Sequence, residues 1–265
     1  LSGAKIIMLG VGGSAGSPNI GGADGAGDWG QLDPGEPRNR RTRPSIIIEA
    51  ADRRRLLVDT GPDLRAQLMA NKIPRVDAVL YTHAHADHIA GLDEVRILNR
   101  ILGTPMPAYA DAATWDDLLI RFDYAFKPWT GPGFYRPAFV PHTVAPGETR
   151  EIIGLPVEVI AQNHGFVTSL GLRIGNAAYC TDVKILDETA LGRLLGLDIF
   201  IVDCFTKADE HPTHPNLAQV FAWVERLRPK RTVLTHMGPS MDYRRLLDSL
   251  PPGVEPGYDG MVLEI

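Results

Sequence analysis

Cysteine is scarce in this chain. There are two, Cys180 and Cys204, both within apolar strand-like runs. A disulfide-stapled secreted scaffold is therefore not expected, and both thiols read as buried, reduced side chains of a cytoplasmic protein. Long apolar runs are missing too. None approaches the roughly 18–20 residues that span a bilayer, so no membrane partner is expected. The opening KIIMLGVGG is too short for such a helix, and it lacks the charged start and cleavage site of a signal peptide. Basic charge is not in excess. The net charge of −5 argues against a stable nucleic-acid partner. No short-period repeat is visible, which sets solenoids aside.

What is present is turn-rich and strand-rich. The chain has 27 glycines and 21 prolines, which suggests many turns between short elements. In the first half, KIIMLG (5–10), SIIIEA (45–50), RLLVDT (55–60) and AVLYT (78–82) read as strands. A Gly-, Asp- and Pro-rich loop separates the first two, long enough to be functional or disordered. Ile89, Leu92, Val95, Leu98 and Leu102 recur at three- and four-residue steps and predict one helix, stopped by Gly103. A second helix starts at Asp111. The aromatic, Pro-rich stretch 122–142 reads as a structured loop or lid, with core or lid packing for Tyr124, Phe134 and Tyr135 and a structural role for His142. The second half repeats the pattern with LPVEVIA, SLGLRIG, AAYCTDV, IFIVDC, RTVLTHM and MVLEI. A helix is expected over 215–228, with Pro215 in its first turn. Two strand-rich halves with helices predict two mixed sheets packed face to face with helices outside. No linker divides them, so 1–265 reads as one domain.

The segment YTHAHADHIAG (81–91) carries three histidines and an aspartate within six positions. An extended segment puts alternate side chains on one side, so His83 and His85 reach one point. The first turn of the following helix presents Asp87 and His88 to a neighbouring point. Two metal ions need more ligands than these four. The chain offers three at strand ends: His164 after VEVIAQN, Asp182 after AAYCT and His236 after RTVLT.

Together THAHADH, His164, Asp182 and His236 resemble the metallo-β-lactamase superfamily. That resemblance implies an α/β, four-layer αββα sandwich with a dinuclear site at one sheet edge. His83, His85 and His164 would hold one ion, Asp87, His88 and His236 the other, and Asp182 would bridge them. LLVDTGPD matches the early aspartate motif, in which Asp59 supports the histidine loop. Further segments, among them LGVGGSAGSPNIGG, NRRTRPSIIIE and YDGMVLEI, look like the phosphoribosyl cyclic phosphate phosphodiesterase branch. Members of that branch often carry a cysteine cluster in the first Gly-rich loop. Here that stretch reads GGADGAGDWG, so no structural zinc is predicted there.

The expected activity is hydrolysis of small, cyclic phosphodiesters, ribosyl or nucleotide-like, to monoesters. Two divalent ions, zinc or manganese, would ionise a shared water for attack on phosphorus. His214 is the candidate donor to the leaving alkoxide, with His211 and Asp87 as further catalytic candidates. Arg41 and Arg43 are candidates for a second phosphate. A homodimer is carried by the family alone. GxGxxA at Gly10, Gly12 and Ala15 suggests a dinucleotide site, but SPNIGGADGAGDWG cannot start the helix that such a site needs. The rivals are an endonuclease resembling those that process tRNA 3′ ends, a thioester or lactam hydrolase, and a non-catalytic metal- and nucleotide-binding protein.

Overall fold

In the computed structural model, which describes residues 3–131 and 137–265, the two halves of the chain build two sheets. The first holds β1 (Lys5–Gly10), β2 (Ser45–Glu49), β3 (Arg55–Val58), β4 (Ala78–Leu80), β5 (Met106–Ala110) and β6 (Phe139–Thr143). The second holds β7 (Thr149–Ile152), β8 (Leu155–Asn163), β9 (Thr168–Ile174), β10 (Ala177–Cys180), β11 (Ile199–Asp203), β12 (Arg231–Thr235) and β13 (Val254–Pro256). The last strand, β14 (Val262–Glu264), crosses back to pair antiparallel with β1. The orders are β14-β1-β2-β3-β4-β5-β6 and β13-β12-β11-β10-β9-β8-β7. Each half begins antiparallel and turns parallel, at β3–β4 and at β10–β11.

Strand alternation explains the layers. Ile6, Met8, Ile46, Ile48, Leu56 and Val58 share a core with Val157, Leu172 and Ile174 of the second sheet. Their neighbours Ile7, Leu9, Ile47 and Leu57 face a separate core. That core is closed by Leu64 and Leu68 of α1 (Leu64–Ala70) and, beyond the histidine helix α2 (Ala86–Ile89), by Val95 and Leu98 of α3 (Val95–Leu102) and Trp115 and Leu118 of α4 (Ala112–Arg121). A one-turn α5 (Asp123–Phe126) follows. The other sheet is backed by Leu191 of α6 (Glu188–Arg193), Val220 of α7 (Leu217–Leu227) and Leu246 of α8 (Tyr243–Ser249). Each fully buried aliphatic side chain contributes roughly 1.5–3 kcal/mol. The result is the expected αββα sandwich. Among the described residues no helix is long and apolar enough to cross a membrane.

Several sequence expectations change. The single helix over 89–102 is broken into α2, a 3-10 turn at Leu92–Glu94 and α3. Gly91 N–H donates to the Thr60 carbonyl at 2.8 Å. A Cβ on Gly91 would lie 2.0 Å from the Gly61 oxygen, so a tertiary contact interrupts the helix. Gly103 ends α3 in the left-handed conformation, as expected. Pro215 lies before α7. Asn216 is the cap, in a reciprocal capping box with Gln219. The stretch 122–142 is part helix and part strand, and Phe134 and Tyr135 fall outside the described residues.

The long loop between β1 and β2 is tied to the end of the fold. Asp242 accepts from Asp33 N–H at 3.0 Å and from Asn39 Nδ2 at 2.7 Å. Arg244 pairs with Glu36 at 2.6 Å. The Arg38 guanidinium lies 4.9 and 4.5 Å from the ring centres of Tyr243 and Tyr258. Gly12 and Gly13 serve close packing, since a Cβ on Gly13 would lie 2.7 Å from the Phe205 ring.

Candidate metal centre

The carboxyl ends of strands from both sheets meet at one edge of the sandwich. Asp59 follows β3, His83 and His85 follow β4, and α2 presents Asp87 and His88. From the other sheet come His164 after β8, Asp182 after β10, Asp203 at the end of β11 and His236 after β12. Asp59, Asp182 and His236 adopt positive φ of 64°, 52° and 51°. That left-handed turn swings each side chain off its strand line, and it is a conformation few side-chained residues adopt.

All seven predicted ligands converge. Potential ligand atoms of His83, His85, His164 and Asp182 lie within 4.8 Å of one another, and so do those of Asp87, His88, Asp182 and His236. Asp182 belongs to both groups. Its Oδ2 is 3.0 Å from His88 Nε2, and its Oδ1 is 3.3 Å from His236 Nε2 and 3.5 Å from His164 Nε2. His236 Nε2 is also 3.5 Å from Asp87 Oδ2. Only His85 is exposed, at the mouth.

A ring of bonds behind the cluster aims the histidines. His88 Nδ1 meets Asp59 Oδ2 at 2.7 Å. Asp59 also accepts from Thr82 N–H and Oγ1, both at 2.8 Å. His164 Nδ1 is 2.9 Å from the Thr213 carbonyl. A carbonyl only accepts, so that nitrogen carries the proton and Nε2 offers its lone pair to the cluster. Such bonds behind a ligand orient metal-binding imidazoles.

Electrostatics and satisfaction both suit cations. Burial opposes charge on His88, but Asp182, Asp59 and Asp87 outweigh it and push the imidazole well above its ordinary value. Burial also opposes charge on His236, but Asp182, Asp87 and Asp203 raise it to about 9. Burial would raise Asp182, yet His236 and His88 hold it well below the carboxylate range. The buried Nε2 atoms of His83, His88 and His236 and Oδ2 of Asp87 make no hydrogen bond. Buried polar atoms are rarely left so, and imidazole with carboxylate is a donor set for divalent transition ions.

The other predicted residues divide. His214 is buried, and its ring stacks on His236 with centroids 4.5 Å apart and meets His164 edge-on at 4.9 Å. His211 touches His214 and Phe205 rings at 4.9 and 5.0 Å, one layer further out. Arg41 is 2% exposed, with Nη2 on the Met241 carbonyl at 2.5 Å, so its guanidinium fastens the loop. Arg43 is partly exposed and pairs with Asp63 at 3.3 Å. His142 stacks on Tyr109 at 4.9 Å in β5–β6, away from the cluster. Sequence reasoning missed Asp203, whose Oδ2 meets His214 Nδ1 at 2.7 Å. Its signal was an acid closing an apolar strand, the same one that marked Asp182. Lys184 was missed as well. Its Nζ donates to the His214 carbonyl at 3.2 Å and to Gln219 Oε1 at 3.1 Å, and so holds the histidine loop.

Residues 54–237 match the family model described as the Beta-lactamase superfamily domain. A solved diphosphatase from the PhnP family is 34% identical, with 99% of this chain and 98% of that one covered and a TM-score of 0.86. Zn(2+)-bound PqqB from Methylobacterium extorquens is 20% identical over 98% of this chain and 100% of that one, with a TM-score of 0.75. An octanoyltransferase from Porphyromonas gingivalis is 30% identical over 97% of this chain and 51% of its own length. The chain thus spans about half the length of that curated relative.

Proposed function

The chain belongs to the metallo-β-lactamase superfamily, and from that membership we propose that it is a metal-dependent hydrolase of small, cyclic phosphodiesters, ribosyl or nucleotide-like, acting in the cytoplasm. The observation that carries this reading is the His214–Asp203 pair stacked against the shared Asp182 cluster. It supports His214 as the proton donor, beside a cluster suited to cations. A diphosphatase of similar fold and 34% identity supports phosphorus as the centre attacked.

His83, His85 and His164 would hold one ion, Asp87, His88 and His236 the second, and Asp182 both. A divalent pair bound there supplies Lewis acidity, which ionises water near neutral pH and offsets charge on phosphate oxygens. The protein's own groups do the rest. Asp59, Thr82 and the Thr213 carbonyl fix which nitrogen of His88 and His164 faces inward. Asp203 occupies His214 Nδ1, so Nε2 is the face left for substrate. When His214 carries a proton, the Asp203 carboxylate 2.7 Å away stabilises it. Nε2 then delivers that proton to the leaving alkoxide. His211, one layer further out, is the alternative donor. Arg43 is left as the contact for a further phosphate oxygen. Acyl transfer through a thiol does not suit this chain, because burial pushes both Cys180 and Cys204 far up.

The test is a turnover panel on protein loaded with zinc or manganese. Ribosyl cyclic phosphate, 2′,3′-cyclic nucleotides and bis(p-nitrophenyl) phosphate are expected to give monoesters. Cleavage of a tRNA precursor with none of these turned over would replace the reading with an RNA-processing one.

A further inference from the structure

Phe166 stands two positions after His164 and is 88% exposed. The turn that carries it is tight. Its N–H donates to the His164 carbonyl at 3.0 Å, and His164 N–H donates to the Val167 carbonyl at 2.9 Å. Gly165 takes a φ of +77°, and its N–H donates to Asn163 Oδ1 at 2.8 Å. An aromatic ring held in water by such a turn adds nothing to the core, and its large face is open to a ligand.

Phe166 borders a cavity of about 660 Å³ that also touches His83 and His85. A group held at the histidine–aspartate cluster therefore extends into it. That volume lies in the range of small-molecule sites and is more than a bare sugar fills. Asp111, Asp117 and Arg121 also line it. Arg121 is engaged, donating to the Ala84 carbonyl at 2.6 Å and to Asp117 Oδ1 at 2.9 Å. Two carboxylates against one engaged guanidinium disfavour a second phosphate here. Asp111 Oδ1 also accepts from Thr114 N–H at 2.8 Å, and a carboxylate has a second oxygen with which to accept from the edge N–H groups of a neutral ring.

We propose that Phe166 is a specificity-determining stacking platform, and that the substrate places a nucleobase on it while its phosphate lies at the cluster. The proposal rests on the phosphodiesterase reading for the phosphate end only. It favours nucleotide-like over ribosyl substrates.

Calorimetry on the zinc-loaded protein, with the product-like ligands nucleoside 3′-monophosphate and ribose 3-phosphate, tests it without turnover. The nucleotide should bind about tenfold or more tightly, the scale of one base–aromatic stack. Phe166→Ala should erase that preference, and Phe166→Trp should keep it. An unchanged melting temperature is expected for both variants because the ring is exposed. Equal affinities in the wild type, or a preference that survives Phe166→Ala, overturns the proposal. Turnover of cyclic phosphodiesters is followed in parallel. Its absence would end the hydrolase reading, while the affinity comparison still decides the role of Phe166.

Discussion

Asp59, Asp182 and His236 all occupy left-handed backbone, and all three sit in the cluster or directly behind it. Strain of this kind gathers where side chains must be aimed. The His214–Asp203 pair beside the cluster defines the first prediction. His214→Ala is expected to lower kcat by about 10²–10⁴-fold with metal content by elemental analysis equal to that of the wild type. Asp203→Asn should lower it in the same direction, because an amide cannot stabilise the imidazolium. Loss of metal in either variant would reassign the pair as structural. A second prediction concerns Asp259, which accepts from Val11 N–H, Thr42 N–H and Thr42 Oγ1 at 3.0, 2.8 and 2.7 Å. Burial outweighs these bonds and raises its pKa to about 6. Between about pH 4 and 6 the folded state keeps a proton that the unfolded chain has released. Stability from this group therefore falls as pH rises through that window, by up to about 1.4 kcal/mol per pH unit. Urea unfolding of wild type and Asp259→Asn across the window should show a slope difference of that sign. At this scale the convergence of the histidines and aspartates was legible because metal chemistry needs rare residue types at strand ends. Asp203 was hidden because one acid after IFIV also reads as the end of a strand. The burial of Arg41 was not legible, because a sequence does not show whether a guanidinium faces solvent or, as here, meets a carbonyl of the segment before α8.

The elements that matter most are the shortest. α2 spans Ala86–Ile89 and is held by crossing backbone: Thr60 N–H donates to the His88 carbonyl at 2.7 Å, and Gly91 N–H to the Thr60 carbonyl at 2.8 Å. Gly91→Ala must displace Gly61, so the third prediction is loss of metal content together with a drop in melting temperature. A variant with the metal content and affinity of the wild type would show that this crossing is not needed. The loop between β1 and β2 provides the fourth. Asp242→Ala removes the acceptor for Asp33 and Asn39 and the cap of α8, and should cost about 1–3 kcal/mol in denaturant unfolding. The strong strands were legible from β-branched runs. β5 and β7 were not, since MPAYA and TREI carry proline or charge at their exposed positions. The periodicity over 89–102 was real, but it could not register a glycine contact made across the fold.

At the scale of the molecule, two strand-rich halves become two sheets whose ligand-bearing ends coincide. The layered architecture followed from composition and alternation, because each sheet needs a helical cover on one face and the other sheet on its opposite face. The return of β14 to β1 was not foreseeable, since MVLEI would suit an edge of either sheet. The fifth prediction follows from candidate ligands contributed by both sheets. Stripping the protein with a chelator should lower its melting temperature, and added zinc should restore it in proportion to the logarithm of free metal. A melting curve indifferent to metal would mean that the cluster holds no ion in the folded state.

The split origin of the cluster also orders events during synthesis. His83 to His88 leave the ribosome well before Asp182 and His236. A nascent first sheet therefore displays an unfinished set of donors and must wait for the second sheet to close over them. The complete donor set therefore exists only once both sheets have formed.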